Sequence, residues 1–174
     1  PNKFGYLKAD KEKISLLKKD IKSDKKRIGL VFSGNNNHAN TLSRDIRFNE
    51  FSKLISNDYK FICLQKDVND YDLIDLKLNS NIEWPIDYIS EDFSNTAALA
   101  STLDLVISVD TSIAHLCGSM GINTWLLIPI NNDWRWMKNK STTPWYSSIK
   151  IFRQSKIGIW DDVIESINKK LTLL

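Results

Sequence analysis

The sequence predicts an α/β domain, a parallel sheet flanked by helices, and three observations lead there. Short aliphatic and β-branched runs recur at 27–32, 59–64, 105–109, 124–128 and 149–152, each of a length that suits a strand buried on both faces. Between several of them lie stretches with apolar residues at helical spacing. The clearest unit runs from Leu105-Val106-Ile107-Ser108-Val109 through Asp110-Thr111-Ser112 into an apolar helix, then past Gly121 into a second strand that stops at Pro129. Strand–helix–strand units of this kind join parallel strands and are almost always right-handed.

Composition narrows the class. The chain has 174 residues, 42% of them hydrophobic, and a net charge of +3, which describes a soluble globular domain with room for a sizeable core. No apolar run reaches the roughly 18 residues of a membrane span and no signal-peptide pattern is read at the start, so a cytoplasmic protein without a transmembrane segment is expected. The excess charge comes largely from the lysines between Lys8 and Lys26. No aromatic residues interleave with them, so a solvated helix face is expected there and no nucleic-acid partner. Cys63 and Cys117 sit inside apolar runs and read as small buried hydrophobes; with only two histidines in the chain they make no convincing zinc site.

In chain order, Phe4 to Asp10 precedes a weakly amphipathic helix with Ile14, Leu17 and Ile21 on one stripe. Strand one, 27–32, runs into the polar loop Ser33-Gly34-Asn35-Asn36-Asn37-His38-Ala39-Asn40, at the carboxyl edge of the sheet where open α/β folds bind ligands. The loop has one glycine and no Gly-Lys pair, so it is neither a Walker A nor a GxGxxG motif. Arg44 follows, either a phosphate ligand, since a guanidinium matches phosphate oxygens with two parallel hydrogen bonds, or a surface partner of Asp45 or Asp67. Phe48, Phe51, Leu54 and Ile55 share one helical face, strand two covers 59–64, and Gln65-Lys66-Asp67 closes it, with Lys66 read as a solvated strand end.

The Asp- and Asn-rich segment 68–80 reads as a loop with at most one helical turn, Trp84-Pro85 breaks any helix, and 86–90 reads as a short strand. Ser94 is the expected cap of the next helix, whose Ala97, Ala98 and Leu99 pack inward. At 110–112 the strand meets a helix whose unpaired N–H groups and dipole favour an anion. Thr111 and Ser112 add hydroxyl donors, and His115 lies on the same face one turn on; a capped buried helix with His115 hydrogen-bonded in the core fits the spacing equally well. After Pro129 the aromatics of Asn132-Asp133-Trp134-Arg135-Trp136 and Pro144-Trp145-Tyr146 read as a satellite cluster pinning the loop to the body. From Trp160 the chain closes with a helix carrying Val163, Ile164, Ile167 and Leu171 toward the sheet.

The run Asp92-Phe93-Ser94-Asn95-Thr96-Ala97-Ala98-Leu99, followed by LDLVISVDTSIAHLCGSMGINTWLLIP at 103–129, resembles the donor-binding motif of glycosyltransferase family 9 and its tetratricopeptide-associated relatives, a family that includes the ADP-heptose lipopolysaccharide heptosyltransferases. Cys117 replaces a small residue of that pattern, and Asn123-Thr124 replaces a Pro-Val pair. The family's Val-Gly-Leu-Val-Trp-Ser-Gly-Asn segment is matched by 28–35, with Phe32 for the Trp, and its following His, Asn and Arg by His38, Asn40 and Arg44; Thr41 and Asp45 depart from it. Asp133-Trp134-Arg135-Trp136, Pro144-Trp145-Tyr146 and Phe152-Arg153-Gln154 match further family segments, so the resemblance extends from Tyr6 to about Leu171.

That resemblance implies a Rossmann-like domain, the C-terminal half of a GT-B fold, with 1–26 as an interdomain linker segment and helix and 27–174 as the nucleotide-sugar-binding domain. It implies a nucleotide-diphosphate-sugar donor as partner, an inverting transfer needing no metal or other cofactor, and an acceptor domain, preceding this one, that supplies the general base. Ser33, Gly34, Asn35, Asn40, Arg44, Asp110, Thr111, Ser112 and His115 would hold the phosphates. Gln65, Asp92, Phe93 and Thr96 would lie beside base and ribose, and Asp133, Trp134 and Arg135 beside the sugar. Two alternatives stay open: a fragment of a nucleotide-sugar isomerase such as a 2-epimerase, and a non-catalytic nucleotide-binding or interaction module.

Overall fold

The computed structural model describes residues 5–19, 24–34 and 41–174. Six strands form one parallel sheet: β1 (Arg27–Val31), β2 (Lys60–Cys63), β3 (Ile82–Glu83), β4 (Leu105–Val109), β5 (Thr124–Ile128) and β6 (Ile149–Arg153). Their spatial order is β3-β2-β1-β4-β5-β6, so the chain winds outward in one direction from β1 and in the other from β4. This is the Rossmann-like arrangement, and the central strands are apolar on both sides because helices cover both.

Alternation along the strands divides the core. Ile28, Leu30, Leu105, Ile107 and Leu127 face α3 (Phe48–Phe51) and α8 (Asp161–Leu171), meeting Phe48, Phe51, Val163, Ile164, Ile167 and Leu171. Val31, Ile62 and Val106 face the other way, toward Leu99 of α6 (Phe93–Ala100) and Cys117 of α7 (Ser112–Met120). Further along that face, Leu126 and Ile128 pack with Ala114 and Trp136. Both thiols are buried and unpaired, and burial pushes each pKa up to about 12, so the cysteines act as apolar filling.

The expected strands are present, and four local expectations are corrected. Segment 68–80 holds a nine-residue helix, α4 (Asp70–Leu78): Asn69 caps it by accepting from the Asp72 amide, and Asp70 and Asp72 in the first turn with Lys77 in the last complement its dipole. The same polar residues that resembled a loop are the helix's capping and solvent-facing residues. Segment 86–90 belongs to a helix, α5 (Ile86–Glu91), with Pro85 at the cap where a missing N–H costs nothing, and the strand is the two-residue β3 before it. The face of Phe48, Phe51 and Leu54 is buried as expected, but α3 tightens into a 3₁₀ turn at Ser52–Leu54. Asp92, rather than Ser94, caps α6 by accepting from the Asn95 amide at 2.9 Å.

Ahead of the sheet, α1 (Lys11–Lys19) leans on α6, with Lys13 Nζ donating to Ser94 Oγ at 3.0 Å. The amides of Tyr6 and Leu7 both donate to the Ser119 carbonyl at the end of α7. Gly5 has φ +73°, and a Cβ there would stand 2.4 Å from the Met120 carbonyl carbon, so only glycine fits this approach. Phe4 and Ile21 lie outside the described residues. Among the described residues no helix is long and apolar enough to cross a membrane.

Asp72 is the sharpest stability test. Its carboxylate is 2% exposed and accepts from the Phe48 amide at 3.0 Å and from Arg47 Nε at 3.0 Å, tying α4 to the start of α3. Removing a buried, charge-assisted acceptor leaves its donors unsatisfied. Asp72→Ala is expected to lower the free energy of unfolding in urea by about 2–3 kcal/mol, and Asp72→Asn by less.

Candidate functional site

β1 and β4 lie side by side, with Ile28 to Val31 in register with Leu105 to Ser108, and the chain leaves their carboxyl ends in opposite directions. Such a switch point opens a crevice that no crossover covers. Two clefts lie there. The first, about 480 Å³, is lined on one side by Ser33, Gly34 and Gln65 and on the other by Asp92, Phe93 and Thr96. The second, about 510 Å³, is lined by Asp110, His115, Pro129, Asn131, Asp133 and Arg135. Arg44, Thr111 and Ser112 belong to both, so the clefts meet at a guanidinium and a helix start.

Arg44, at the end of α2 (Thr41–Arg44), is 9% exposed. Its Nε donates to Asp45 Oδ1 at 2.9 Å, and the same oxygen accepts from the Gly34 amide at 3.1 Å. Asp45 thus binds the cation to the β1 loop. Its Nη2 is buried and has no hydrogen-bond partner among the described residues. Of the two sequence expectations for this arginine, the pairing with Asp45 is present. The guanidinium also lies flat against Gly34, where a Cβ would stand 2.3 Å from Nη2.

Opposite it, α7 begins at Ser112 with Thr111 as the cap residue, and the Thr111 side chain makes no capping hydrogen bond. The Thr111 hydroxyl instead meets Ser108 Oγ at 3.3 Å. The helix turns its N-terminal, positive end to the junction. His115 lies one turn along, its ring stacked on Trp136 at 5.0 Å and its Nδ1 3.0 Å from the Tyr146 hydroxyl. Nε2 points toward Asp110 Oδ1, 3.9 Å away. Burial lowers the His115 pKa, with Asp110 partly offsetting it. Burial raises the Asp110 pKa, and the Trp136 indole N–H and His115 offset only part of that; among the described residues the indole has no acceptor at hydrogen-bonding geometry.

The other expected site residues divide. Ser33, Gly34, Asp92, Phe93 and Thr96 all line the first cleft, with Phe93 55% exposed and able to meet a flat ring. Gln65 lines it too, but its amide is occupied with the fold: Oε1 accepts from the Phe32 and Ser33 amides at 3.1 and 2.9 Å, and Nε2 donates to the Ser33 hydroxyl and to the Asp67 carbonyl. Exposed Lys66 lies at the cleft rim. Asp133 and Arg135 line the second cleft as an ion pair at 2.8 Å; burial alone would raise the Asp133 carboxyl, and the Arg135 amide and guanidinium outweigh it and hold it below the usual range. Trp134 lines neither cleft. It stands 67% exposed beneath the Arg135 guanidinium, edge-on to Trp145, on the outer side of the loop. Asn35, His38 and Asn40 lie outside the described residues.

Tyr146 was legible only as part of an aromatic segment, and its contact with His115 spans 31 positions of sequence. Asp45, a departure from the family pattern, proves to be the residue that holds Arg44. Among the described residues no group of three His, Cys, Asp or Glu side chains gathers as a metal site would.

No family model matches the sequence, and no curated protein does. Solved structures do. E. coli ADP-heptose LPS heptosyltransferase II superposes with a TM-score of 0.70 at 10% identity, over 96% of this chain and 52% of that one. A family 9 glycosyl transferase from Veillonella parvula DSM 2008 gives 0.61 at 12% identity, over 99% and 47%. The fold is therefore heptosyltransferase-like, a six-stranded parallel sheet flanked by helices that matches the C-terminal half of a GT-B glycosyltransferase. The chain spans about half the length of each of these two proteins.

Two outcomes are expected. In Gly34→Ala the new methyl displaces the flexible end of Arg44, so the thermal midpoint should change little while anion affinity at the junction, measured by sulfate or pyrophosphate titration, falls several-fold. Asp110 has a folded-state pKa above its unfolded value of 3.8, so its contribution is fully present below that pH and is lost as pH rises through the folded pKa. Asp110→Asn should therefore match the parent in unfolding stability near pH 3 and exceed it at pH 7.

Proposed function

We propose that this chain is the donor-binding half of an inverting glycosyltransferase that takes a nucleotide-diphosphate sugar and needs no metal for the transfer. The observation that carries the reading is buried Arg44, its Nη2 unpartnered among the described residues, set with the start of α7 where two clefts meet. A buried cationic donor without an acceptor, beside a helix N-terminus, suits a diphosphate. The clefts on either side supply the places for its two substituents. The nucleoside takes the first, with its base against Phe93 and its ribose near Asp92 and Thr96. The sugar takes the second, among Asp110, Asp133 and Arg135.

In the transfer the bond between the anomeric carbon and the diphosphate oxygen breaks, and negative charge grows on the leaving nucleoside diphosphate. Arg44, the α7 amides, the Thr111 and Ser112 hydroxyls and His115 are already aimed at that charge, and preorganised donors of this kind lower the barrier. Asp110, with its pKa raised by burial, sits where a donor-sugar hydroxyl would be held. The general base for the acceptor hydroxyl comes from an acceptor domain, to which the segment 1–26 leads. The chain alone binds donor without transferring sugar.

One observation favours a second reading. Asp110 and Asp133 both line the sugar-side cleft, one with a raised and one with a lowered pKa, the pattern an acid–base pair shows. A nucleotide-sugar isomerase or hydrolase would use them so. Calorimetric titration with ADP, UDP, GDP and CDP is expected to select one nucleotide, with affinity reduced about tenfold or more in Arg44→Ala and in His115→Ala, the loss of one charge-assisted hydrogen bond each. Turnover of any nucleotide sugar by these 174 residues without an acceptor domain would sink the donor-half reading and favour the second one.

A further inference from the structure

Two faces of α4 are occupied by different kinds of contact. Asp72 and Leu76, four residues apart, turn inward and are buried. Tyr71, Ile74 and Leu78 recur at intervals of three and four, which keeps them on one outward stripe, and all three are 61% to 78% exposed. A surface helix ordinarily gives its outward face to charged and polar residues. Single exposed apolar side chains need no explanation, but a continuous stripe over two helical turns marks an interaction surface. The stripe is separate from the anion junction, since none of its three residues lines either cleft. Nor does α1 cover it: Leu17 of α1 packs on one side of the sheet and Leu76 of α4 on the other.

We propose that the stripe is where two copies of this chain pair, α4 against α4, antiparallel about a two-fold axis at Ile74. The charges beside the stripe select that occupant. At 3.6 residues per turn Asp70 and Lys77 border it on one flank, near opposite ends of the helix. A two-fold axis perpendicular to the plane of the two helices reverses their direction and keeps the flank, so Asp70 of each copy comes opposite Lys77 of the other. Asp75 borders the other flank, three residues from Asp72 and four from Tyr71. Arg47 stands on that flank too, its guanidinium 5.6 Å from the Tyr71 ring and its Nε bonded to Asp72. The same rotation carries Asp75 of one copy toward Arg47 of the other, so both flanks close with opposite charges and the two helix dipoles oppose each other. An apolar centre inside a charged rim is the layout of a protein–protein interface. The face is small, and interfaces below about 1,200 Å² in total are those of weak, exchanging complexes, so the dimer is a reversible one.

Sedimentation velocity of the chain from about 5 to 500 μM, the range of a weak association, should show monomer passing reversibly into dimer. Ile74→Glu, a change at an exposed position, should hold it monomeric with the urea midpoint unchanged. Asp70→Lys and Lys77→Asp should each raise the dissociation constant about tenfold, because either one sets like charges against each other at both ends of the contact, and the double variant should restore it. Both changes oppose the α4 dipole, so a merely structural effect would add in the double variant instead of cancelling. With Cys63 and Cys117 buried, mild oxidation of Ile74→Cys should give a disulfide-linked dimer, whereas Leu16→Cys on the exposed side of α1 should not. A monomer at every concentration overturns the proposal. So does a dimer that survives Ile74→Glu, or a double charge variant no tighter than the single ones, since each places the contact on another face or in another orientation.

Discussion

The pairing of β1 with β4 is the constraint on which the rest depends. Both strands are apolar on both sides, so each must be central in the sheet and covered twice, and the chain can satisfy this only by winding away from the pair in opposite directions. The divergence leaves Ser33 and Gly34 after β1 and the start of α7 lining one cleft. Ser33, Gly34 and Arg44 stand on one side of that opening and Thr111, Ser112 and His115 on the other. The site follows from strand order before any particular side chain is considered.

Within the opening, a buried guanidinium needs a reason to stay. Asp45 supplies half of it, bonding at once to Arg44 Nε and the Gly34 amide, and the lack of a side chain at Gly34 lets the cation lie flat on the loop. Gln65 supports the same loop from β2 by holding the Phe32 and Ser33 amides. The neighbouring charges are balanced rather than piled up. Asp110 faces His115, Asp133 is neutralised by Arg135, and Arg44 Nη2 is without a hydrogen-bond partner among the described residues.

The loop between β5 and β6 does two different things with its aromatics. Trp136 is fully buried and forms the floor under His115, as a satellite cluster should. Trp134 and Trp145 meet edge-on at the surface and are 67% and 47% exposed, outside both clefts. Four closely spaced tryptophan and tyrosine residues of similar chemistry thus have unlike roles, and only their position relative to α7 separates them.

Much of this was legible in one dimension. The strand–helix–strand run at 105–128, the Gly121 terminator with its φ of +73°, and the amphipathic closing helix depend on local periodicity and capping, which sequence carries directly. Most of the described residues to which the resemblance to family 9 pointed line the two clefts, and Trp134 does not. Polar segments were harder. At 68–80 capping residues imitate a loop, and at 86–90 a proline that begins a helix imitates one that ends it. What only tertiary structure decided is which side chains share protons and charge: that Asp45 anchors Arg44, that Gln65 serves the loop, that Trp134 turns away, and that Tyr146 reaches His115 with Tyr6 and Ser119 behind it. Hydrogen bonds across tens of residues depend on packing distance, and a linear pattern holds no record of distance.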